Sequence, residues 1–247
     1  MDAESACYLS NTANMGVGKR TDTSTIFLGC EMEALGIGRT DIGKMREQNE
    51  DRLYIDNDLG LYIVSDGMGG HAAGEEASRL AVDAVVRSIK GDRAKLHRVR
   101  QGLEEPKEAI PVAQEAVEIA CKTVYDAARA RPELAGMGCT LTLFLMLDRW
   151  AVMAHVGDTR LYLCRSALVT KLSTDHTVVA ELQAGGAITA EEAAVSQLRN
   201  MLTRALGSQE TVLVETLLLD VIPGDRYLLC SDGLSQYAND HVLAQHL

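Results

Sequence analysis

The run Leu141-Thr142-Leu143-Phe144-Leu145-Met146-Leu147, broken by Asp148-Arg149 and resumed as Trp150-Ala151-Val152-Met153-Ala154-His155-Val156, decides the fold. Each half is an apolar segment of strand length, and the two-residue break is far too short for a crossover helix. The pair therefore reads as an antiparallel hairpin. Outward from it, Gly157-Asp158-Thr159 leads after another turn-length gap into a third run, Arg160–Cys164 (RLYLC). Two more runs of this kind, Leu61–Ser65 (LYIVS) and Arg226–Cys230 (RYLLC), stand well before and well after the hairpin. Asp, Gly or Arg closes each of them, as expected at strand ends.

Two helical patterns interrupt the strands. After Gly74, residues Ala77, Leu80, Ala81, Ala84, Val85, Ser88 and Ile89 follow helical spacing and place one small-to-medium apolar stripe on one face. A second pattern, from about Pro111 to Ala130, carries Val117, Ala120, Cys121, Val124 and Ala127 on its buried side. Pro111 suits a first helical turn, and Pro132 ends the helix beyond Arg131. Between the two, Gly91–Lys107 is charged and aperiodic, which predicts a solvated loop. Antiparallel strands covered by amphipathic helices define an α+β fold, a central β-sandwich flanked by helix pairs. The first 32 residues differ in kind. Of the first 30, 12 are Ser, Thr, Asn or Gly, with no sustained period. They predict a flexible arm over 1–32, ahead of one domain spanning 33–247.

The chain has 247 residues, with 24 Lys+Arg against 35 Asp+Glu, a formal charge of −11. That balance argues against general binding to nucleic acid or to an anionic membrane, both of which repel it. No apolar run reaches the length of a membrane span, and the first thirty residues lack the apolar core of a secretion signal. Six scattered cysteines form no C-x-x-C pair; Cys139, Cys164 and Cys230 border apolar runs and read as core residues in a reducing compartment. The expected location is the cytoplasm. An acidic protein remains well suited to divalent cations.

The carboxylates carry the functional signal. Two strands end in the same tripeptide, Ser65-Asp66-Gly67 and Ser231-Asp232-Gly233. An Asp just past a buried strand is fixed by it, and the Gly lets the backbone turn and offer a carbonyl to the same ion. A lone Asp-Gly is usually only a turn. Here it is accompanied by Met45-Arg46-Glu47-Gln48-Asn49-Glu50-Asp51, by Asp66-Gly67-Met68-Gly69-Gly70-His71, by Gly157-Asp158-Thr159-Arg160, by Thr174-Asp175-His176-Thr177, by Gly185–Thr189 and by Arg199-Asn200.

In this order, from about Gly36 to Leu234, the motifs resemble those of the metal-dependent PPM (PP2C-type) protein serine/threonine phosphatases in their bacterial form. The resemblance implies two packed antiparallel sheets flanked by helix pairs (an αββα sandwich). It also implies a binuclear Mn²⁺ or Mg²⁺ site at one end, with room for a third ion. By that likeness Asp66 bridges the two metals, Gly67 lends its carbonyl and Asp232 is a terminal ligand. Arg46 holds the substrate phosphate, Glu50 and Asp51 anchor water on the metals, and Asp158 joins Asp232 at the third ion, with Asn200 close by. Gly185–Thr189 would open a flap over the cleft. The implied reaction is hydrolysis of phosphoserine and phosphothreonine on proteins by metal-activated water. The implied partners are phosphorylated proteins, Ser/Thr kinases and their substrates, with the chain acting as a monomer. Two ions roughly 3.5–4 Å apart suit in-line phosphoryl transfer, which needs no covalent nucleophile. The planar fork of Arg46 suits a phosphate better than a Lys would.

Among single residues, His71 and His176 are candidates for proton donor to the leaving oxygen, with a structural role the expected one for His71. Asp175 is expected to fix a loop, and Arg160 to pair with a nearby carboxylate. One departure from the family pattern bears on function. The family's last motif, with a further aspartate ligand and a closing strand, has no counterpart before Leu247, so the expected domain lacks its closing segment and exposes a sheet edge. That motivates an alternative, a non-catalytic regulatory or binding module of the same fold. Other hydrolase classes find no support, since C-x₅-R, G-x-S-x-G, H-E-x-x-H and P-loop patterns are all absent.

Overall fold

A computed structural model describes residues 4–16, 29–42, 48–70, 72–238 and 240–247. The strands are β1 (Glu4–Gly16), β2 (Gly29–Asp41), β3 (Asp51–Asp56), β4 (Leu61–Met68), β5 (Gly138–Cys139), β6 (Leu141–Leu147), β7 (Trp150–Val156), β8 (Arg160–Arg165), β9 (Leu168–Lys171), β10 (Glu215–Asp220) and β11 (Arg226–Cys230). The helices are α1 (Ala72–Gly91), α2 (Arg93–Arg100), α3 (Ala109–Ala130), α4 (Val178–Ala184), α5 (Ala190–Val195), α6 (Asp232–Ser235) and α7 (Asp240–His246). One sheet runs β2-β1-β11-β8-β9; the other runs β10-β7-β6-β4-β3, with β5 paired to β4. All the pairings are antiparallel.

Strand β6 explains the layering. Leu141, Leu143, Leu145 and Leu147 face a core shared with Ala77, Ala81 and Val85 of α1 and with Ala113, Val117 and Val124 of α3. Phe144 and Met146 face the other way, into a core between the sheets with Cys7, Leu9, Tyr62, Leu161, Tyr227 and Leu229. A strand buried on both faces has no polar side, hence the unbroken apolar run. The Phe144 and Tyr227 rings lie 4.5 Å apart, joining the sheets. A third, smaller cluster packs Leu243 of α7 against Tyr162, Leu228 and Cys230 on the outer face of the first sheet, the one holding β8 and β11.

Two expectations need correction. Residues 93–100, expected as solvated loop, form α2, whose Leu96 and Val99 are buried. The charged residues there occupy the remaining helix surface, which masks the short apolar stripe. The proposed arm over 1–32 is likewise not an arm over 4–16 and 29–32, which are strand residues. β1 pairs with β11 from Ala6↔Cys230 to Ser10↔Arg226 and with β2 along its whole length. Among its described side chains the apolar inward pattern rests on Cys7 and Leu9, too few for a period to show among polar neighbours. As a result β11 has a neighbour on each side, β1 and β8, and the sheet edge expected to be exposed is covered. Among the described residues no helix is long and apolar enough to cross a membrane.

Beyond β10, Asp225 anchors the turn into β11. It is 1% exposed, accepts from Arg165 Nε at 2.8 Å and Nη2 at 2.7 Å, and accepts further from the Ile222 N–H and the Tyr227 hydroxyl at 3.0 Å each. Burial alone would raise its pKa, but Arg165 and these donors hold it below the usual carboxylate range. The contribution is therefore present above that range and fades as pH falls through the depressed value. Asp225→Ala should cost about 2 kcal/mol at pH 7 in denaturant unfolding, with a smaller cost near pH 3. Amide hydrogen exchange should protect residues 6–10 as strongly as their partners in β11; exchange at the rate of a free peptide would show that β1 is not a strand in solution.

Candidate metal centre

Strand β4 sets the position of Asp66. The Ser65 hydroxyl donates to the Thr140 carbonyl at 2.6 Å, the Asp66 N–H donates to Thr140 Oγ1 at 3.0 Å, and the Thr140 N–H returns to the Asp66 carbonyl at 2.8 Å. Across the β3–β4 ladder Asp66 is the direct partner of Asp51, so their side chains lie on one face, close together. The Gly67 N–H donates to the Glu50 carbonyl at 3.1 Å, and Ser78 of α1 donates to the same oxygen at 2.7 Å.

Gly67 does not turn the chain, as its place after Asp66 suggested; it continues β4 in register with Cys139. Its requirement is space. A Cβ there would lie 2.1 Å from the Gly74 carbonyl oxygen, where α1 crosses the strand. Gly157, by contrast, is needed for its backbone: φ is +109°, and a Cβ would lie 2.5 Å from Thr140. That turn delivers Asp158. Asp232 opens α6 directly after β11, and its Oδ2 accepts from Gln236 at 2.7 Å.

Asp66, Asp158 and Asp232 line one cleft of 440 Å³ together with Glu50, Gly67, Asn200 and Arg204. Asp51 stands behind them, 6% exposed, with Oδ2 accepting from the Ser231 hydroxyl at 2.8 Å and a buried Oδ1 that has no hydrogen-bond partner among the described residues. Electrostatics follow from this crowding. Burial, then the charges of Asp51, Asp232 and Asp158, push Asp66 well above the carboxylate range. Burial and the neighbouring Asp232 push Asp158 up to about 7. Burial raises Asp51 as well, against the opposing hydrogen bonds of Ser231 and Ser5. An all-oxygen set of clustered carboxylates with a buried, unpartnered oxygen fits hard divalent cations.

A second cleft of 530 Å³ shares Asp158, Asn200 and Asp232 and runs beneath α4 and α5, with Arg160, Asp175, Arg199 and Tyr237 along it. Thr189 caps α5 in a capping box with Glu192, which gives the Gly185–Thr189 segment its structural role as a helix entry. Arg160 pairs with Asp175 at 2.7 Å. Despite burial, Asp175 stays below the usual range because Arg160 holds it there. Arg46 and His71 lie outside the described residues.

His176 is not placed as a proton donor to the cleft. It is 4% exposed, its Nδ1 accepts the Gly157 N–H at 3.1 Å, and its backbone N–H donates to the Gly157 carbonyl at 2.8 Å. With His155 and Glu215 it makes a group whose potential ligand atoms lie within 4.8 Å of one another. The ring nitrogens are already committed, however. His176 Nδ1 accepts the Gly157 N–H and its Nε2 lies 3.3 Å from Arg204 Nη1, while His155 has Thr142 on one nitrogen and the Thr174 carbonyl on the other. The group ties the Asp158 turn to the loop after β9. Arg204 and the Thr140 anchor were not singled out from the sequence. Arg204 had no motif to mark it, and Thr140 stands at the head of the apolar run.

The protein phosphatase 2C family matches residues 43–247, and the chain belongs to that family. It is 36% identical over 200 residues to the serine/threonine phosphatase stp of Listeria innocua, covering 80% of this chain and 76% of that one. The crystal structure of the Mycobacterium tuberculosis serine/threonine phosphatase PstP is similar with a TM-score of 0.73 at 35% identity, covering 84% of this chain and 82% of that one. The PstP catalytic domain in complex with two manganese ions is similar with a TM-score of 0.71 at 30% identity, covering 97% and 84%.

The raised pKa of Asp158 predicts a specific pH response of the EDTA-treated protein. An acid whose folded pKa lies above its unfolded value stabilises the fold below the unfolded pKa, and that advantage is lost as pH rises through the folded value. Thermal melting without metal should therefore drop between pH 4 and about 7. Asp158→Asn should flatten the drop and saturating Mn²⁺ should shrink it; a flat metal-free profile in the parent chain would refute the carboxylate crowding.

Proposed function

We propose that this cleft hydrolyses phosphoserine and phosphothreonine on proteins, with Asp66, the Gly67 carbonyl and Asp232 holding two Mn²⁺ or Mg²⁺ ions. Asp158 with Asp232 provides a place for a third ion, and Glu50 and Asp51 hold water at the metal cluster. Membership of the protein phosphatase 2C family makes the chain a metal-dependent protein serine/threonine phosphatase, which favours the catalytic reading over a non-catalytic module. The observation that supports the residue assignment is the convergence of Asp66, Asp158 and Asp232 on one cleft, backed by Asp51, where burial and then the neighbouring carboxylates push Asp66 and Asp158 up in pKa.

When bound, the divalent ions polarise the phosphoryl oxygens and supply a nucleophilic water at neutral pH. The remaining work belongs to side chains. The clustered carboxylates bind and space the cations, so that a dianionic phosphate can enter an acidic cleft. Arg46 orients the phosphate through paired donors. Arg204, on the wall of the same cleft, adds a positive charge beside Asp66 and Asp158. The leaving serine or threonine oxygen needs a proton, and no histidine among the described residues lines this cleft.

The physiological counterparts we propose are bacterial-type Ser/Thr kinases and their substrates, with the chain acting as a cytoplasmic monomer. The five described cysteines are buried and unpaired, which supports a reducing compartment.

A phosphothreonine peptide assay with Mn²⁺ tests the reading. Activity should vanish on chelation with EDTA and return with Mn²⁺. Asp66→Asn and Asp232→Asn should each lower kcat/KM on the order of a hundredfold or more. Turnover that persists in EDTA or in Asp66→Asn would rule the assignment out.

A further inference from the structure

Ser5 is a small polar residue on the strand nearest the N-terminus, yet it is fully buried beside the carboxylate cluster. Its N–H donates to Ser231 Oγ at 3.1 Å, and its carbonyl accepts the Ser231 N–H at 2.9 Å. The hydroxyls of Ser5 and Thr40 are 2.7 Å apart, and Thr40 Oγ1 accepts from Asn49 Nδ2 at 2.6 Å. Asn49 Oδ1 in turn accepts the N–H of Asp51 at 3.0 Å, and Asp51 Oδ2 accepts from Ser231 Oγ at 2.8 Å.

These contacts close into a ring. Starting at Asp51, the path runs through Asn49, Thr40, Ser5 and Ser231 and back to Asp51, joining β1, β2, β3 and the end of β11. The donors balance. Ser231 Oγ spends its one proton on Asp51 while accepting from the Ser5 backbone, and the amide of Asn49 donates at one end and accepts at the other. The ring fixes the side chain of Asp51 at one oxygen, and the other is buried with no hydrogen-bond partner among the described residues. It also fixes Ser231, the residue directly before Asp232. Partners that orient a metal-binding carboxylate commonly set metal affinity as strongly as the ligand itself.

We propose that Ser5 is a positioning residue for the metal centre: through Ser231, Thr40 and Asn49 it locks Asp51 and the approach to Asp232 in the arrangement that binds Mn²⁺. The proposal rests on the metal-centre reading above and adds to it a residue from the far end of the chain. Removing the Ser5 hydroxyl opens the ring on one side. The β1–β2 ladder still pairs Ser5 with Thr40, but the side-chain path from Ser5 through Thr40 to Asn49 is lost, and Ser5 then reaches Asp51 only through its backbone bonds to Ser231.

Isothermal titration of the full chain with Mn²⁺, alongside thermal melting in EDTA, tests this. Ser5→Ala should raise the Mn²⁺ dissociation constant about tenfold, and Ser5→Thr, which keeps the hydroxyl, should bind more tightly than Ser5→Ala. Leu9→Val weakens the packing of the same strand without touching the ring; it should lower the melting temperature and leave the Mn²⁺ affinity at its parent value. Unchanged affinity in Ser5→Ala overturns the proposal. So does an equal loss in Leu9→Val, since strand stability alone would then explain the effect. If the parent chain takes up no Mn²⁺, the metal-centre reading falls, and this proposal falls with it.

Discussion

Asp51, Asp66, Asp158 and Asp232 repel one another, and the fold holds them together nonetheless. The constraint is met first by the backbone. Asp51 and Asp66 are opposite residues of one ladder, Asp158 follows a glycine turn seated on Thr140, and Asp232 heads a helix at the end of a central strand. Each element is secured by the two hydrophobic layers behind it, so the energy of burial is what keeps the charges in place. The raised pKa values of Asp66 and Asp158 measure how far that placement is from what the carboxylates would choose without cations.

The same constraint accounts for the glycines. Gly67 is there because α1 passes so close to β4 that no side chain fits, and that closeness lets Ser78 reach the Glu50 carbonyl. Gly157 is there because the chain must turn through a left-handed conformation against Thr140. The two sit in motifs of similar appearance and answer different physical demands, one for space and one for torsion.

Much of this was legible before any coordinates. The runs at Leu141–Leu147, Trp150–Val156 and Arg226–Cys230 are strands over those spans, because double-faced burial demands continuous apolar sequence. The long helices were visible through their alanine and valine stripes. Weakly patterned elements were not. Among the described side chains of β1, Cys7 and Leu9 are the apolar residues that mark its inner face, and β10 is half-buried along most of its length. At the site, Asp66, Asp158 and Asp232 stood out because each follows a strand. Asp51 was expected to act through water, and its direct placement against Asp66 depends on a ladder register that spacing does not reveal. Nothing local in Ser5 connects it with Ser231, which is 226 residues away.

That separation has a consequence for how the protein comes into being. β1 leaves the ribosome well before β11, since Ser5 and Ser231 are 226 residues apart. Until β11 arrives, β1 lacks the partner that places Ser5, and the ring around Asp51 cannot close. Closing so long a loop carries a large entropic cost that is repaid only once both sheets are packed, so such contacts form late. The helices and the β6–β7 hairpin, whose partners are near in sequence, can form well before. A nascent chain would thus carry the helix-packed part of its hydrophobic core before the ring around Asp51 could close.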